Sequence, residues 1–187
     1  MPMNKRGKLI ILSGPSGVGK GTVREELFKF NNINLFYSIS MTTRLPRNGE
    51  VDGREYYFVS TEEFEKQIKE GNLLEYNQFV GNYYGTPKDK VIEKLDLGFN
   101  VLLEIDVNGA RRVKKNMPEA ISIFLTPPSL KELEERIRGR ATETEEIIQE
   151  RLDKARSEID LEDEYDYVVC NKNVNEAACQ IASIITK

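Results

Sequence analysis

Four short apolar runs punctuate an otherwise polar chain: 8–13 (KLIILS), 100–106 (NVLLEID), 120–125 (AISIFL) and 167–170 (YVVC). Uninterrupted runs of this length predict strands buried on both faces, as in a parallel sheet covered by helices. Segments with helical spacing lie between and after them, over 22–30, 107–116, 129–138 and about 175–185. Strand and helix alternate, so the predicted architecture is α/β, with a parallel sheet flanked by helices.

Two segments break the alternation. The first, about 37–95, is rich in Tyr, Gly and Thr. Its runs 56–59 (YYFV) and 73–79 (LLEYNQF) predict antiparallel strands, and Ser60 with Glu63 forms a capping box for a helix from Thr61. The second, about 136–163, is almost entirely charged. Thr142 and Glu145 make another capping box there. Ile147, Ile148, Leu152 and Ile159 form a thin apolar stripe, which predicts a weakly anchored helix. We read the first segment as an inserted mixed α+β substrate lobe and the second as a mobile helical lid. The expected division is one domain over 1–187. Its core comprises about 7–36, 96–127 and 164–187, its lobe about 37–95 and its lid about 128–163.

Composition narrows the chemistry. The 187 residues include 27 Lys+Arg and 31 Asp+Glu, with no histidine and no tryptophan. That length suits one domain. Without histidine there is no Ser-His-Asp or Cys-His catalysis and no His-ligated metal. The net charge of −4 and pI near 5.2 argue against a nucleic-acid partner. Two cysteines, Cys170 and Cys179, are too few for a disulfide framework and read as reduced thiols. The apolar stretch 9–12 is too short for a signal peptide or a membrane span. A soluble, cytoplasmic protein without membrane partners is expected.

The strongest local signal is Ser13-Gly14-Pro15-Ser16-Gly17-Val18-Gly19-Lys20-Gly21-Thr22, between a buried strand and a helix. This is the context of a phosphate-binding P-loop. Glycines at 14, 17 and 19 let the backbone curl its N–H groups toward one anion, and the helix N-terminus adds a favourable dipole. Lys20 supplies a mobile cation for β- and γ-phosphates. The position after the lysine, usually Ser or Thr for Mg²⁺, is Gly21. Either Thr22 takes that role or Mg²⁺ is held through water and the nucleotide.

A second phosphate site is suggested by Arg44-Leu45-Pro46-Arg47, two guanidinium forks around a rigid proline. It lies in the longer segment 38–58, SISMTTRLPRNGEVDGREYYF, which is followed by 81–87, GNYYGTP, and 103–109, LEIDVNG. Glu104 and Asp106 end a buried strand, where ligands bind in open α/β sheets. Together with GRATETEE at 139–146, these motifs closely resemble the guanylate kinases over about residues 7–187. The resemblance implies a P-loop NTPase core with a GMP-binding lobe and a lid. It implies reversible transfer of the ATP γ-phosphoryl group to GMP, and to dGMP, with Mg²⁺.

The resemblance also implies site residues. Residues 14–22 (Gly14, Pro15, Ser16, Gly17, Val18, Gly19, Lys20, Gly21 and Thr22) hold ATP. Arg44, Arg47, Tyr56 and Tyr84 match contacts to the GMP phosphate, and Ser40, Glu75 and Thr86 match contacts to guanine. Glu75 can accept from guanine N1–H and N2–H₂, paired donors that adenine lacks. Asp106, with Glu104, matches a position near GMP and the reacting phosphates. Thr22 or Asp106 is the candidate Mg²⁺ ligand. Arg136, Arg140 and Arg151 match lid arginines, with Arg136 on the ATP side and Lys20, Arg44, Arg140 and Arg151 as the catalytic cations. Asn171, just after the strand ending at Cys170, is assigned to the adenine.

Several of these residues have plainer readings. Thr86 before Pro87 also suits a helix N-cap, Tyr83 suits packing, and Arg111, Arg112 and Arg138 read as solvated. The Gly-Lys-Gly-Thr loop is shared with adenylate kinases, so the loop alone leaves the acceptor open. A non-catalytic scaffold domain of the same fold is the alternative from another class.

Overall fold

The four apolar runs become neighbouring strands of one sheet. The computed structural model describes residues 5–139 and 144–187. In chain order its elements are β1 Leu9–Ser13, α1 Lys20–Leu27, β2 Leu35–Tyr37, β3 Met41–Thr42, β4 Tyr57–Phe58, α2 Thr61–Lys69, β5 Leu73–Phe79 and β6 Asn82–Pro87. They continue with α3 Lys88–Asp96, β7 Asn100–Glu104, α4 Val107–Asn116, β8 Ile121–Thr126, α5 Leu130–Gly139, α6 Glu145–Ile159, β9 Tyr167–Cys170 and α7 Val174–Thr186.

The core sheet runs β2-β7-β1-β8-β9, and every pairing in it is parallel. Strand β1 is central and buried along its whole length. Its alternate residues feed two different layers, as the two-residue period of a strand requires. Ile10 and Leu12 pack with Val23, Leu27, Leu152 and Ile181 from α1, α6 and α7. Leu9 and Ile11 pack on the other side with Val91, Leu95, Ala110 and Val113 from α3 and α4. Each aliphatic side chain so buried contributes about 1.5–3 kcal/mol. Both layers are therefore anchored through the strand that leads into the loop 14–19.

The smaller sheet runs β4-β3-β6-β5. Strands β5 and β6 form an antiparallel hairpin, as expected for the run 73–79, but β3 and β4 pair in parallel. The run 56–59 shortens to β4 because the chain reaches it through a long loop, closed by Asp52 Oδ1 accepting from Phe58 N–H at 2.8 Å. Phe64 of α2 is fully buried beneath this sheet. It stacks on Tyr83 at 5.0 Å and meets Tyr76 edge-on at 6.5 Å. A Cβ on Gly85 would come within 3.0 Å of Phe64, which explains a glycine in mid-strand there.

Some elements lie outside the sequence expectations. β2 is a three-residue edge strand, too short to register as an apolar run. α3 falls within the expected lobe 37–95, yet Val91 and Leu95 pack it into the core. The charged helix α6 is better anchored than its thin stripe suggests. Ile148, Leu152 and Ala155 are buried in the main core cluster, and α6 packs beside α5. Thr142, expected to cap α6, lies outside the described residues. Thr144 occupies the N-cap position. Ser60 does cap α2, accepting from Glu63 N–H at 3.1 Å.

Candidate functional site

The loop after β1 is made by backbone conformation. Gly17 and Gly19 have φ of 85° and 98°, in the left-handed region. Gly19 is the N-cap of α1, which opens with Lys20 itself, two residues earlier than its spacing predicts. Lys20 folds back over the loop and donates from Nζ to the Gly14 carbonyl at 2.6 Å and to Pro15 at 3.2 Å. Burial pushes its ammonium below the usual lysine range. Glu104, Glu158 and Asp106 face it and partly offset that push.

Beside the loop lies a cavity of about 310 Å³ lined by Gly17, Val18, Gly19, Thr22, Arg136, Asn171, Lys172 and Val174. Arg136 joins its walls, donating to the Val18 carbonyl at 3.2 Å and the Asn171 carbonyl at 3.0 Å. Asn171 is buried and donates to Val18 O at 2.8 Å. Its Oδ1 is also buried and has no partner, and such a group calls for a donor from a ligand or water. From α6, Arg151 reaches across to Ser16 Oγ at 2.7 Å. Arg140 falls outside the described residues.

A larger cavity, about 530 Å³, lies between the small sheet and the ends of the core strands. It brings together Ser40, Tyr56, Glu75, Tyr84, Glu104 and Asp106, six of the nine acceptor-side residues named from sequence. Thr86 sits behind it, buried, and donates to Glu75 Oε1 at 2.6 Å. Its hydroxyl therefore serves Glu75, and Pro87 takes the N-cap position of α3. Glu75 is only 8 % exposed, and burial pushes its carboxyl above the usual range. Asp106 caps α4, accepting from Gly109 N–H at 2.8 Å. A Cβ on Gly109 would come within 3.1 Å of Asp106 Oδ1 and 3.2 Å of Glu75 Oε2, so a larger residue there would crowd both carboxyls.

The two lobe arginines lie beyond the cavity wall. Arg44 stacks over Tyr56 at 5.4 Å and Phe58 at 5.7 Å. It makes a two-pronged pair with Glu50, at 2.9 and 3.0 Å. Glu50 also accepts from Arg47 N–H at 2.7 Å, while the Arg47 side chain is exposed. Tyr83 packs on Phe64.

Arg24, Lys154, Glu158 and Arg112 are among the residues of this region that had no sequence assignment to a site. Arg24 donates to Glu104 at 2.7 Å and lies over the Tyr37 ring at 4.6 Å. Lys154 lines the larger cavity, and Glu158 pairs with it at 3.8 Å. Arg112, read from sequence as solvated, also lines that cavity. The available signal was helical spacing: Arg24 is four residues after Lys20, and Lys154 and Glu158 follow Arg151 at three and seven.

A P-loop at the carboxyl ends of a parallel sheet, faced across a cavity by an inserted lobe, defines a P-loop nucleotide phosphotransferase. The comparisons with known proteins narrow this class. The guanylate kinase family model matches residues 6–187. The guanylate kinase of Listeria innocua is 57 % identical over 183 residues, spanning 98 % of this chain and 89 % of that protein. The guanylate kinase of Streptococcus thermophilus is 56 % identical over the same length, with 98 % and 88 % covered. The crystal structure of guanylate kinase from Anaplasma phagocytophilum superposes with a TM-score of 0.74 at 35 % identity, covering 98 % of this chain and 86 % of that one. The chain belongs to the guanylate kinase family, the nucleoside monophosphate kinases that phosphorylate GMP with ATP.

Proposed function

We propose that ATP lies with its phosphates on the loop 14–22 and its adenine against Arg136 and Asn171, while GMP fills the larger cavity. The guanine is read by Glu75, Thr86 and Ser40, and the GMP phosphate by Arg44, Arg47, Tyr56 and Tyr84. The observation that carries this reading is the buried Glu75, with Oε1 held by Thr86 and the rest of the carboxyl at the cavity wall. Guanine offers N1–H and N2–H₂ together. Adenine does not, and would leave the buried carboxyl unpaired. The unpartnered Asn171 Oδ1 fits the exocyclic amine of adenine.

The chemistry is positioning and charge. The GMP phosphate is already an anionic nucleophile, so a chain without histidine needs no protein base. Lys20, Arg44 and Arg151, with Arg140, surround the transferring group when lobe and lid close, and closure excludes water. Glu104, engaged by Arg24, and Asp106 stand between the two nucleotides. Mg²⁺, when bound, neutralises charge on the bridging phosphates. The fit is through oxygen. Asp106 commits Oδ1 to Gly109 and leaves Oδ2 as a hard donor, while Thr22 lies on the adenine side. Both cysteines are free thiols, in keeping with a cytoplasmic enzyme.

An ADP-release assay with GMP, dGMP, AMP and UMP as acceptors tests this reading. GMP and dGMP turn over, and AMP and UMP do not. In Arg44→Ala, kcat/KM for GMP falls on the order of 10²–10³-fold, as for loss of one transition-state donor, while ATP binding is retained. Unchanged GMP turnover in that variant overturns the phosphate assignment.

A further inference from the structure

One charged contact joins the two halves of the site. Arg24 lies one turn after Lys20 on α1, the helix into which the loop 14–19 opens. Its guanidinium reaches the carboxyl ends of β2 and β7. There Nη1 donates to Glu104 Oε2 at 2.7 Å, and the guanidinium carbon stands 4.6 Å from the centre of the Tyr37 ring. Tyr37 and Glu104 end neighbouring strands, for Tyr37 pairs in parallel with Leu102, two residues before Glu104. Glu104 lines the larger cavity, and Arg24 stands behind it.

The arrangement fixes a side chain that otherwise has several rotamers open to it. The ring seats the guanidinium, and the guanidinium holds one carboxylate oxygen. Both partners are largely withdrawn from water, at 27 % and 20 % side-chain exposure, so the pair is screened less than one on the open surface. Oε2 is committed to Arg24, which leaves Oε1 for a hydroxyl or N–H of the molecule that fills the cavity. Lys20 also faces Glu104, so a carboxylate released from Arg24 has a second cation to turn to, on the donor side.

We propose that Arg24 is a positioning residue for the acceptor nucleotide, carried on the donor helix but acting through Glu104, whose second oxygen it presents to GMP. The proposal rests on the reading of the larger cavity as the GMP site. Its placement gives it a signature. A residue that only shapes α1 disturbs the ATP phosphates, because Lys20 opens that helix. A residue that acts through Glu104 disturbs GMP and leaves ATP alone.

Steady-state kinetics test this on the unaltered chain, Arg24→Met, Arg24→Lys, Glu104→Ala, the double variant Arg24→Met with Glu104→Ala, and Glu75→Gln. Arg24→Met raises KM for GMP about three- to tenfold, less than the full loss of a hydrogen bond to a charged group because Glu104 itself stays. KM for ATP moves by less than about twofold, the scatter expected of uncoupled sites. Arg24→Lys restores KM for GMP, since the contact to Glu104 has a single prong that an ammonium can make. Glu104→Ala raises KM for GMP at least as far as Arg24→Met, and the double variant is no worse than Glu104→Ala alone. Neither Arg24 nor Glu104 belongs to a core cluster, so the fold is kept.

If Glu75→Gln raises KM for GMP while Arg24→Met does not, the inference about Arg24 is overturned and the reading of the cavity stands. An equal rise of KM for both nucleotides in Arg24→Met also overturns it, because that assigns Arg24 to the shape of the loop. So does a rise that persists in full on top of Glu104→Ala, because Arg24 then acts by another route. If Glu75→Gln leaves KM for GMP unchanged, the reading of the cavity falls and the proposal falls with it.

Discussion

The loop proposed to hold the ATP phosphates is shaped by its backbone, whereas the cavity proposed for GMP is lined by side chains. In the loop 14–19 the glycines shape the backbone, and even Lys20 and Arg136 hold carbonyls of the loop. Across the cavity, every proposed contact is a side chain, carried on the small sheet, on its loops or at the end of β7, and Arg44 is already held by Glu50. A backbone site rides on the central strand and both core layers. The side-chain site is tied to the core through Leu74 of β5, while the rest of its sheet rests on α2 and a buried ring, Phe64, that belongs to neither core cluster. The difference teaches that the loop inherits the stability of the core, whereas the sheet over α2 can be perturbed with less effect on it.

The largest test removes the lysine that folds back over the loop. Lys20→Met is expected to lower kcat on the order of 10²–10³-fold, as for loss of a charged donor to the transition state. The thermal transition stays close to that of the unaltered chain, because the methionine follows the same course over the loop. Single-turnover kinetics and a melt on the same sample check both halves. A collapse of stability would mean that the loop depends on Lys20 for its shape.

Next comes the anchor of the lobe. Phe64→Ala removes a fully buried ring, a change that costs about 3–5 kcal/mol. The loss should fall on the lobe. Amide exchange in β3–β6 accelerates and KM for GMP rises, while amides of β1 and β8 keep their protection and ATP still binds. Uniform deprotection of both sheets would erase the distinction between the two regions.

A smaller effect is expected from the residue that holds Arg44 in place. Glu50 accepts from both Arg44 prongs and from Arg47 N–H, so it fixes the fork before GMP arrives. Glu50→Gln should raise KM for GMP roughly tenfold, at the low end of what misplacing a binding group costs. A fall in KM would mean instead that Glu50 competes with the phosphate for Arg44.

The same contrast decides what was legible in the chain. The core strands, the loop and α2 could be read directly, because each follows from a local pattern: an apolar run, a glycine spacing, a capping serine. Glu75 and Arg44 were legible only through the joint set of motifs, since a lone acid in a strand or two arginines in a turn say little by themselves. Arg24, Lys154, Glu158 and Arg112 escaped. Their helices look like solvated charge, and Arg112 and Lys154 are indeed exposed; the tertiary crossing of α1, α4 and α6 brings all four beside the sheet ends. The anchoring of α6 escaped for a related reason. Three buried residues suffice for it, and a stripe that short resembles a surface helix.

Glu75 offers the finest test of the comparison, because it sets the needs of the site against those of the fold. Its carboxyl titrates above the usual range in the folded chain, owing first to burial. Between the ordinary carboxyl range and that raised value, the folded state binds more protons than the unfolded one. Stability therefore falls as pH rises through the window, and the whole cost persists above it. Glu75→Gln carries no such charge and can still accept from Thr86. The variant should melt above the unaltered chain at pH 8, and its advantage should shrink as pH drops through the window and vanish near pH 4. Melting curves across that range check the sign. An advantage independent of pH would point to packing rather than charge. A lower melting point at pH 8 would mean that the buried carboxylate stabilises the lobe. The expected result identifies Glu75 as a group that GMP recognition keeps at the expense of stability, in the region where the fold can bear that loss without disturbing the loop that holds ATP.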